Sequence, residues 1–351
     1  MLPPVARPPA LDRISIAAIG MTADDLTEET KRAEAAGIDC VWAPELFRAS
    51  FTQATWMAAK TERMDVATGI AWAFTRSPFI LALSALDVDE LSGGRFRLGL
   101  GAGVRRLNET WHGVEYGRPA PHLRETIEAV RLIMSQAHRG EPIRYEGEYH
   151  DIDIKGWIRP HPPAREGGPP IYAAAVREGM ARMAGDVADG LVGHPMCSLR
   201  WLEDVLIANF EQGLSRSGRE RSDLDFLPTV CCVIDDDEEA AYEAARRTIA
   251  FYATVRTYMP LWEMHGFGDA AKAVGDAFRS GDLAAVPQHI PDEMVDTYTA
   301  AGPLDKVRAR VEQVAERADG VFLTPATYFI EPEQIAAYQA RIVEAFSPRA
   351  R

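Results

Sequence analysis

The segment LSGGRFRLGLGAGVRRLN, residues 91–108, links an amphipathic stretch to a short apolar run with alternating glycines. We predict a helix from Ser77 to Leu91, and the run after it has the length and apolar character of a buried parallel strand. Gly99, Gly101 and Gly103 either allow close packing of the sheet or provide a wall without side chains for a planar ligand. Both interpretations of the glycines stay open at this point.

Outward from this segment, apolar runs of strand length alternate with longer amphipathic stretches along the chain. Eight such runs are ISIAAIG (14–20), IDCVWAP (38–44), MDVATGIAW (64–72), RFRLGLG (95–101), PPIYAAA (169–175), DGLVGHP (189–195), FLPTVCCVI (226–234) and DGVFLTP (319–325). The first helix has cap signals at both ends, with Thr22 before it and Gly37 after it. Eight strand–helix repeats predict a (β/α)8 TIM barrel in a single domain over residues 1–351.

Two stretches depart from the repeat and are predicted to be insertions into the barrel. Residues 138–168 contain YEGEYHDI, which is typical of a small hairpin, followed by a proline-rich connector. Residues 257–299 are predicted to be irregular, to cover the site and to influence substrate choice.

Composition and charge exclude several classes of protein. The 351 residues are 47% hydrophobic, so a sizeable core can form, and the prolines in MLPPVARPPALDR (1–13) argue for a short leader rather than an export signal. A net charge of −14 without a basic block makes nucleic acid and anionic membranes poor partners. No apolar run is long enough to span a bilayer. The four cysteines are Cys40, Cys197, Cys231 and Cys232. No pair of them has zinc-ligand spacing, and this pattern suits a reduced cytoplasmic setting.

In a TIM barrel the residues that follow the strands carry the chemistry. Glu45 follows the second run, His112 lies beyond the fourth, and His194 follows the sixth. After the fifth run, AAAVREGM (173–180) combines small residues with the start of a helix, whose free N–H groups can hold a phosphate. The alternative is that these alanines only fit beneath a neighbouring helix. The glycines do not follow the G-x-G-x-x-G fingerprint of nicotinamide-binding folds.

Five segments, in matching order, resemble the bacterial luciferase-like flavin and deazaflavin oxidoreductases. They are AAGIDCVWAPE (35–45), ATGIAWAFTRSP (67–78), LDVDELSGGRFRLGLGAG (86–103), PPIYAAAVREGMARMAGDVADGLVG (169–193) and AAGPLDKVRARVEQVAERADGVFLTP (300–325). One group of this family uses FMN with oxygen, and the other uses the deazaflavin coenzyme F420 for hydride transfer. AFTRSP (73–78) and LGLGAGVRRLN (98–108) resemble the F420 group more closely.

The resemblance implies a cofactor site at the strand ends. It places a non-proline cis peptide at Gly69-Ile70 behind the cofactor ring and assigns Asn108 to hydrogen bonding with the ring. It places the phosphate at residues 174–180, completed by the residues after the sixth run. The implied cofactor-binding residues are Gly69, Ile70, Ala71, Gly103, Asn108, Ala174, Ala175, Val176, Arg177, Glu178, Gly179, Met180, Gly193 and His194.

One departure from the family pattern concerns the proton donor. Many relatives carry an acidic residue followed by histidine after the second strand, whereas this chain has Glu45 followed by Leu46. Glu45 and His112 are therefore the predicted catalytic residues, since leucine cannot move a proton. The predicted function is F420-dependent hydride transfer to or from a small organic substrate by a cytoplasmic homodimer. The alternatives are an FMN-dependent monooxygenase and a non-catalytic flavin-binding barrel.

Overall fold

One large parallel sheet dominates the computed structural model, which describes residues 9–282 and 285–347. The strands are β1 (Ile14–Ala17), β2 (Cys40–Ala43), β3 (Asp65–Thr68), β4 (Ala71–Trp72), β5 (Phe96–Gly101), β6 (Ile143–Glu146), β7 (Asp151–Ile154), β8 (Ile171–Ala174), β9 (Gly190–Val192), β10 (Asp225–Leu227), β11 (Thr229–Ile234), β12 (Thr299–Gly302) and β13 (Val321–Pro325). Their order is β10-β9-β8-β5-β3-β2-β1-β13-β11-β12, with β4 beside β5.

The sheet closes through the run FLPTVCCVI. Only Pro228 separates β10 from β11; β10 pairs with β9, and β11 pairs with β13. The eight predicted runs therefore form a closed barrel, and the (β/α)8 prediction is confirmed. β12 was missed because Thr299–Gly302 is short and carries small side chains; it adds to the outer edge of β11.

Helices follow the barrel strands, as the alternating pattern predicts. They are α1 (Ala23–Ala36), α2 (Ser50–Ala58), α3 (Pro78–Leu91), α4 (Arg105–Trp111), α5 (Pro119–Gln136), α6 (Glu178–Val187), α7 (Leu199–Trp201), α8 (Ala208–Ser217), α9 (Glu238–Ala253), α10 (Met259–Met264), α11 (Gly268–Ser280), α12 (Asp292–Tyr298), α13 (Leu304–Ala315) and α14 (Pro332–Phe346). Thr22 and Asp25 form a capping box at the start of α1, and Gly37 ends α1 with φ of 85°. Among the described residues, no helix is long and apolar enough to cross a membrane.

The two predicted insertions differ in outcome. The hairpin is confirmed, because β6 and β7 pair antiparallel. The prediction that residues 257–299 are irregular is wrong, since α10, α11 and α12 lie within them. Proline occupies the first turn of α10 and the position before α12, where a helix tolerates it, and Gly281 follows the end of α11. The boundaries of both insertions stay predictions.

Of the predicted leader, residues 1–8 lie outside the described residues, and Ala10–Asp12 form a 3-10 turn. At the amino ends of the strands, a basal ion cluster is formed by Arg13, Asp39, Asp65, Arg97 and Asp225. Arg13 donates to both carboxylate oxygens of Asp225 at 2.9 and 2.8 Å. Arg97 donates to Asp65 and Asp39, each at 2.8 Å. Paired charges therefore lie at the end of the barrel away from the site.

Candidate functional site

The alternating glycines of β5 allow close packing at the carboxyl end of the barrel. A Cβ on Gly99 would overlap the carbonyl oxygen of Thr68, which lies on β3. A Cβ on Gly101 would overlap the Ile70 side chain and would lie 3.2 Å from the Cβ of Ala174. Close packing is therefore the interpretation that the structure supports, and Gly101 also sets the position of Ile70.

The segment between β3 and β4 forms one wall of the candidate site. The Gly69-Ile70 peptide is cis, as the family resemblance implies. A Cβ on Gly69 would lie 2.6 Å from the Trp42 Cβ, so glycine is required against this buried ring. The Ile70 side chain is half-buried over Gly101, and Ala71 is buried. The three residues predicted here lie together at the strand ends, next to β5.

Glu45 joins the end of β2 to the end of β4. Its Oε2 accepts the Trp72 N–H at 2.7 Å and an Arg76 guanidinium N–H at 2.9 Å, and its Oε1 accepts a second Arg76 N–H. Both carboxylate oxygens are therefore occupied by donors, one of them charged. These contacts favour a positioning role for Glu45, and its catalytic role stays a prediction. The sequence reasoning did not pair Glu45 with Arg76.

His112 lies at the exposed end of α4, beside an aromatic surface. Its ring meets Trp72 edge-on at a centroid distance of 5.4 Å, and Trp111 stacks on Trp72 at 6.4 Å. Trp72 is largely buried, whereas Trp111 is 60% exposed. The structure therefore brings His112 to the same strand end as Glu45, because Trp72 contacts both residues.

Asn108 organises the loop after β5. Its Nδ2 donates to the carbonyl oxygens of Ala102 and Val104 at 2.9 and 3.0 Å. Its Oδ1 is buried and has no hydrogen-bond partner among the described residues. Gly103 has φ of 63°, and its carbonyl oxygen accepts the Tyr116 hydroxyl at 3.0 Å. An unpaired buried oxygen is costly, so this amide suits a donor from a ligand.

The amino end of α6 has the features that a phosphate site needs. No side chain caps it, since Arg177 occupies the N-cap position without a capping hydrogen bond. Around Gly179 the surface is open: an added Cβ would contact only the Ala120 Cβ, at 3.9 Å. Arg177 is exposed and lies 3.6 Å from the Glu178 carboxylate. The first-turn N–H groups therefore lie in a segment that a ligand can approach.

The remaining members of this predicted segment have structural contacts. Ala175 is buried and its N–H donates to Val192 at 3.0 Å, while the Val176 carbonyl accepts the Trp201 indole N–H at 2.8 Å. Ala174 and Met180 are half-buried. These contacts fix the turn from β8 into α6, and the binding role of the segment stays a prediction.

Gly193 and His194 follow β9. The Gly193 N–H donates to Leu227 at 2.8 Å, which continues the pairing of β9 with β10. His194 packs among Tyr252 and Tyr258, with centroid distances of 4.5 and 4.4 Å. Burial lowers the pKa of His194 to about 3, and its Nδ1 accepts the Met196 N–H at 3.2 Å. His194 is therefore neutral at physiological pH, and it can donate a hydrogen bond without supplying charge.

Sequence reasoning missed the tyrosines at this end of the barrel. Tyr328 follows β13 and lies 5.3 Å from Tyr252 between ring centroids, while Tyr258 lies 5.7 Å from Tyr252. The position of Tyr328 directly after the eighth run was a usable signal. Tyr252 and Tyr258 had none, because they lie at and beyond the end of a long helix.

The described residues contain no group of three or more histidine, cysteine or acidic side chains arranged to hold a metal ion. Cys40, Cys231 and Cys232 are buried and Cys197 is half-buried, each as a free thiol. The site therefore consists of amide, imidazole and phenol groups beside one ion pair.

The luciferase-like monooxygenase family model matches residues 7–344. The chain belongs to this family. It is accordingly an oxidoreductase. An uncharacterized protein of Mycobacterium tuberculosis is 35% identical over 82% of this chain and 86% of that protein. The F420-dependent glucose-6-phosphate dehydrogenase of Kineococcus radiotolerans is 30% identical over 63% of this chain and 67% of the enzyme.

Solved structures support the same fold. The coenzyme F420-dependent tetrahydromethanopterin reductase of Methanopyrus kandleri superposes with a TM-score of 0.79 at 22% identity. The match covers 96% of this chain and 98% of that chain. At this level of identity the likeness concerns the fold, and it agrees with the barrel described above.

Proposed function

We propose that this luciferase-like oxidoreductase binds coenzyme F420 and transfers a hydride between the deazaflavin ring and a small organic substrate. The observation that carries the proposal is the uncapped amino end of α6, which adjoins small residues at the ends of β5 and β8. It agrees with the glucose-6-phosphate dehydrogenase relative and the Methanopyrus kandleri reductase, both of which are named as F420-dependent.

The residues present fit such a cofactor. The free N–H groups at the start of α6 suit a phosphate, and Arg177 adds a positive charge there. Ile70, held by Gly101, offers an apolar wall for a flat ring. The buried Asn108 Oδ1, unpaired among the described residues, suits a ring N–H donor. When bound, F420 would supply a carbon centre that gives or accepts a hydride.

The chain's own contribution to the reaction would be positioning and proton transfer. Glu45 holds Trp72 and Arg76, and so fixes the end of β4 beside the cofactor wall. His112, exposed on the edge of Trp72, is the candidate to move the proton at an imidazole nitrogen. Tyr258, from the 3-10 turn Arg256–Tyr258, lies against His194, which supports a covering role for the start of the predicted insertion.

The first test is a side-by-side titration of the purified apoprotein with F420 and with FMN, followed by intrinsic tryptophan fluorescence. We expect saturable F420 binding and weak FMN binding, and then turnover in a screen of alcohols, aldehydes and enones. A preference for FMN would instead support the oxygen-using monooxygenase, with oxygen uptake as the next assay. Binding of neither cofactor would contradict the proposal, and F420 binding without turnover would favour a carrier barrel.

The homodimer stays a prediction that light scattering during size-exclusion chromatography can test. A mass of about twice 38.7 kDa would agree with it, whereas a mass near the value for one chain would contradict it.

A further inference from the structure

Four side chains form an aromatic recess at the carboxyl end of the barrel: His194, Tyr252, Tyr258 and Tyr328. They come from the loop after β9, the end of α9, the turn beyond α9 and the loop after β13. The ring centroids of His194 and Tyr258 are 4.4 Å apart, and those of Tyr252 and Tyr328 are 5.3 Å apart. The recess therefore lies on the β9–β11–β13 side of the barrel, whereas the proposed cofactor residues lie on the β3–β5–β8 side.

These side chains behave as walls of a recess rather than as core residues. Each is only half-buried. Burial nevertheless raises the pKa values of Tyr252, Tyr258 and Tyr328 and lowers the pKa of His194, so the polar groups are poorly solvated. Side chains that line a narrow cleft typically keep some accessible surface while their polar groups are poorly solvated.

Two polar atoms of the recess are available to a ligand. His194 Nδ1 accepts the Met196 N–H at 3.2 Å, so the neutral ring carries its proton on Nε2. Neither His194 Nε2 nor the Tyr258 hydroxyl has a hydrogen-bond partner among the described residues, and neither atom is enclosed. An apolar cleft with a few unpaired donors is the usual form of a small-molecule site.

Charge is missing from the recess. Within the part of the chain that the structure describes, no hydrogen bond or ion pair joins His194, Tyr258 or Tyr328 to a charged side chain. Arg247, the nearby cation on α9, is bound to Glu243 and to the Phe329 carbonyl. Arg256 is exposed on the turn before Tyr258. No contact among the described residues joins either arginine to His194 or Tyr258. A carboxylate or phosphate between these two rings would therefore lose its solvation without a cation in contact with it.

We propose that the aromatic recess is the substrate subsite and that it selects an uncharged, planar carbonyl compound or the corresponding alcohol. The substrate oxygen accepts hydrogen bonds from His194 Nε2–H and the Tyr258 hydroxyl, and its flat apolar part packs on the tyrosine rings. This inference therefore assigns the proton that the ketone oxygen gains with the hydride to one of these two groups and not to His112. This inference rests on the proposed function, because the substrate must lie next to F420 at the carboxyl end of the barrel, which we call the barrel mouth. It also assigns His194 to substrate binding, whereas the family resemblance implies that His194 binds the cofactor phosphate.

The test uses two ligands of similar shape that differ in charge, 4-phenylbutan-2-one and 3-phenylpropanoate. Calorimetric titration of the F420-loaded protein should give a dissociation constant for the ketone at least about tenfold lower than that for the carboxylate. Equal or tighter binding of the carboxylate would overturn the proposal. So would absence of ketone binding to the loaded protein.

Variants then locate the binding. Tyr258→Phe and His194→Gln should each raise the ketone dissociation constant about three- to tenfold and leave F420 affinity unchanged. Tyr145→Phe, on the β6–β7 hairpin where the hydroxyl donates to Glu128, is the matched control and should change neither value. If His194→Gln weakened F420 binding and spared the ketone, His194 would belong to the cofactor and the proposal would fail.

The same titrations separate this inference from the proposed function. If F420 failed to bind while the apoprotein still preferred the ketone in a Tyr258-dependent way, the cofactor assignment would fall and the subsite would stand. If F420 bound and the carboxylate were preferred, the cofactor assignment would stand and the subsite would fall. If the ketone, the carboxylate and F420 all failed to bind, the cofactor assignment and the subsite would both be overturned.

Discussion

The two ends of the barrel hold their polar side chains in opposite ways. At the amino end, Arg13 is paired with Asp225 through two hydrogen bonds, and Arg97 lies between Asp39 and Asp65. At the carboxyl end, Asn108 and His194 each present a polar atom that no described residue satisfies. Arg97 Nη1 is also buried without a hydrogen-bond partner among the described residues, but the carboxylates of the amino end are all engaged by these arginines. Ion pairs between strands therefore dominate the amino end, whereas the carboxyl end has neutral polar atoms that suit a ligand.

The pKa shifts follow the same division. Burial opposes ionisation of Asp225, but the Arg13 guanidinium and the Tyr172 hydroxyl lower its pKa to about 2. At the mouth, burial acts on His194 without a compensating charge and keeps the ring neutral. A buried group with a charged partner stays ionised, and one without such a partner becomes neutral. The comparison predicts that mutations at the amino end reduce stability, whereas those at the mouth reduce ligand binding.

The largest expected effect is that of Asp225→Ala. Removing this carboxylate leaves the half-buried Arg13 with only the Asp319 carbonyl at 3.3 Å and takes away the acceptor of the Tyr172 hydroxyl, which should cost about 3 kcal/mol of unfolding free energy. Urea denaturation measures the loss. Asp153→Ala is the control, since its partners on the hairpin are exposed, and it should cost less than about 1 kcal/mol. If the folded Asp225→Ala protein also lost F420 affinity, the two ends would not be independent.

Gly101→Ala should act mainly on binding at the mouth. The added methyl group would displace the flexible end of Ile70, so we expect a stability cost of about 1–2 kcal/mol and about tenfold weaker F420 binding. Fluorescence titration and urea denaturation separate the two effects. Gly275→Ala, in the interior of α11, meets only the end of the Arg279 side chain, so it should leave F420 affinity unchanged and raise the unfolding free energy by about 0.5–1 kcal/mol. Unaltered F420 affinity in Gly101→Ala would remove Ile70 from the cofactor wall.

Glu45→Gln and His112→Asn distinguish positioning from proton transfer. Glu45→Gln breaks the ion pair with Arg76, so the dissociation constant for F420 should rise about fivefold, with kcat reduced as well. Glu45→Asp should rescue part of the affinity if the carboxylate positions Trp72. His112→Asn should lower kcat and leave F420 affinity unchanged. Unchanged turnover in both variants would exclude both residues from the reaction.

The smallest effect concerns pH. The folded pKa of His194, about 3, lies below the unfolded value of about 6.5, so the unfolded chain binds a proton first as the pH falls. Stability should therefore decrease below pH 6.5, with about 0.8 kcal/mol lost through this residue by pH 6. When urea midpoints are compared at pH 7.5 and pH 6, the His194→Gln variant should therefore lose about 0.8 kcal/mol less unfolding free energy than the wild-type protein. Asp225 does not affect this comparison, because its contribution to the unfolding free energy is lost only as the pH falls below about 4 toward its folded pKa of about 2.

The sequence predicted the elements well where the signals are local. Thr22 and Gly37 bound α1 as expected, and the apolar runs became the barrel strands. The resemblance to the luciferase-like family supplied the cis bond at Gly69-Ile70, which periodicity could not indicate. The sequence of residues 257–299 predicts an irregular segment because its prolines and glycines interrupt the helical pattern, whereas in the structure several of them mark helix ends.

The sequence by itself determined the barrel, the family and the segments that form the candidate site, because strand and helix periodicity, caps and motifs all act over short distances along the chain. Only the tertiary structure decided that Glu45 is held by Arg76 and that His194 faces tyrosines from α9 and the loop after β13. These contacts join residues far apart in the chain, and they exist only once the strands have closed into a barrel. Closure also determines which polar groups find a partner, and hence which remain available for a ligand.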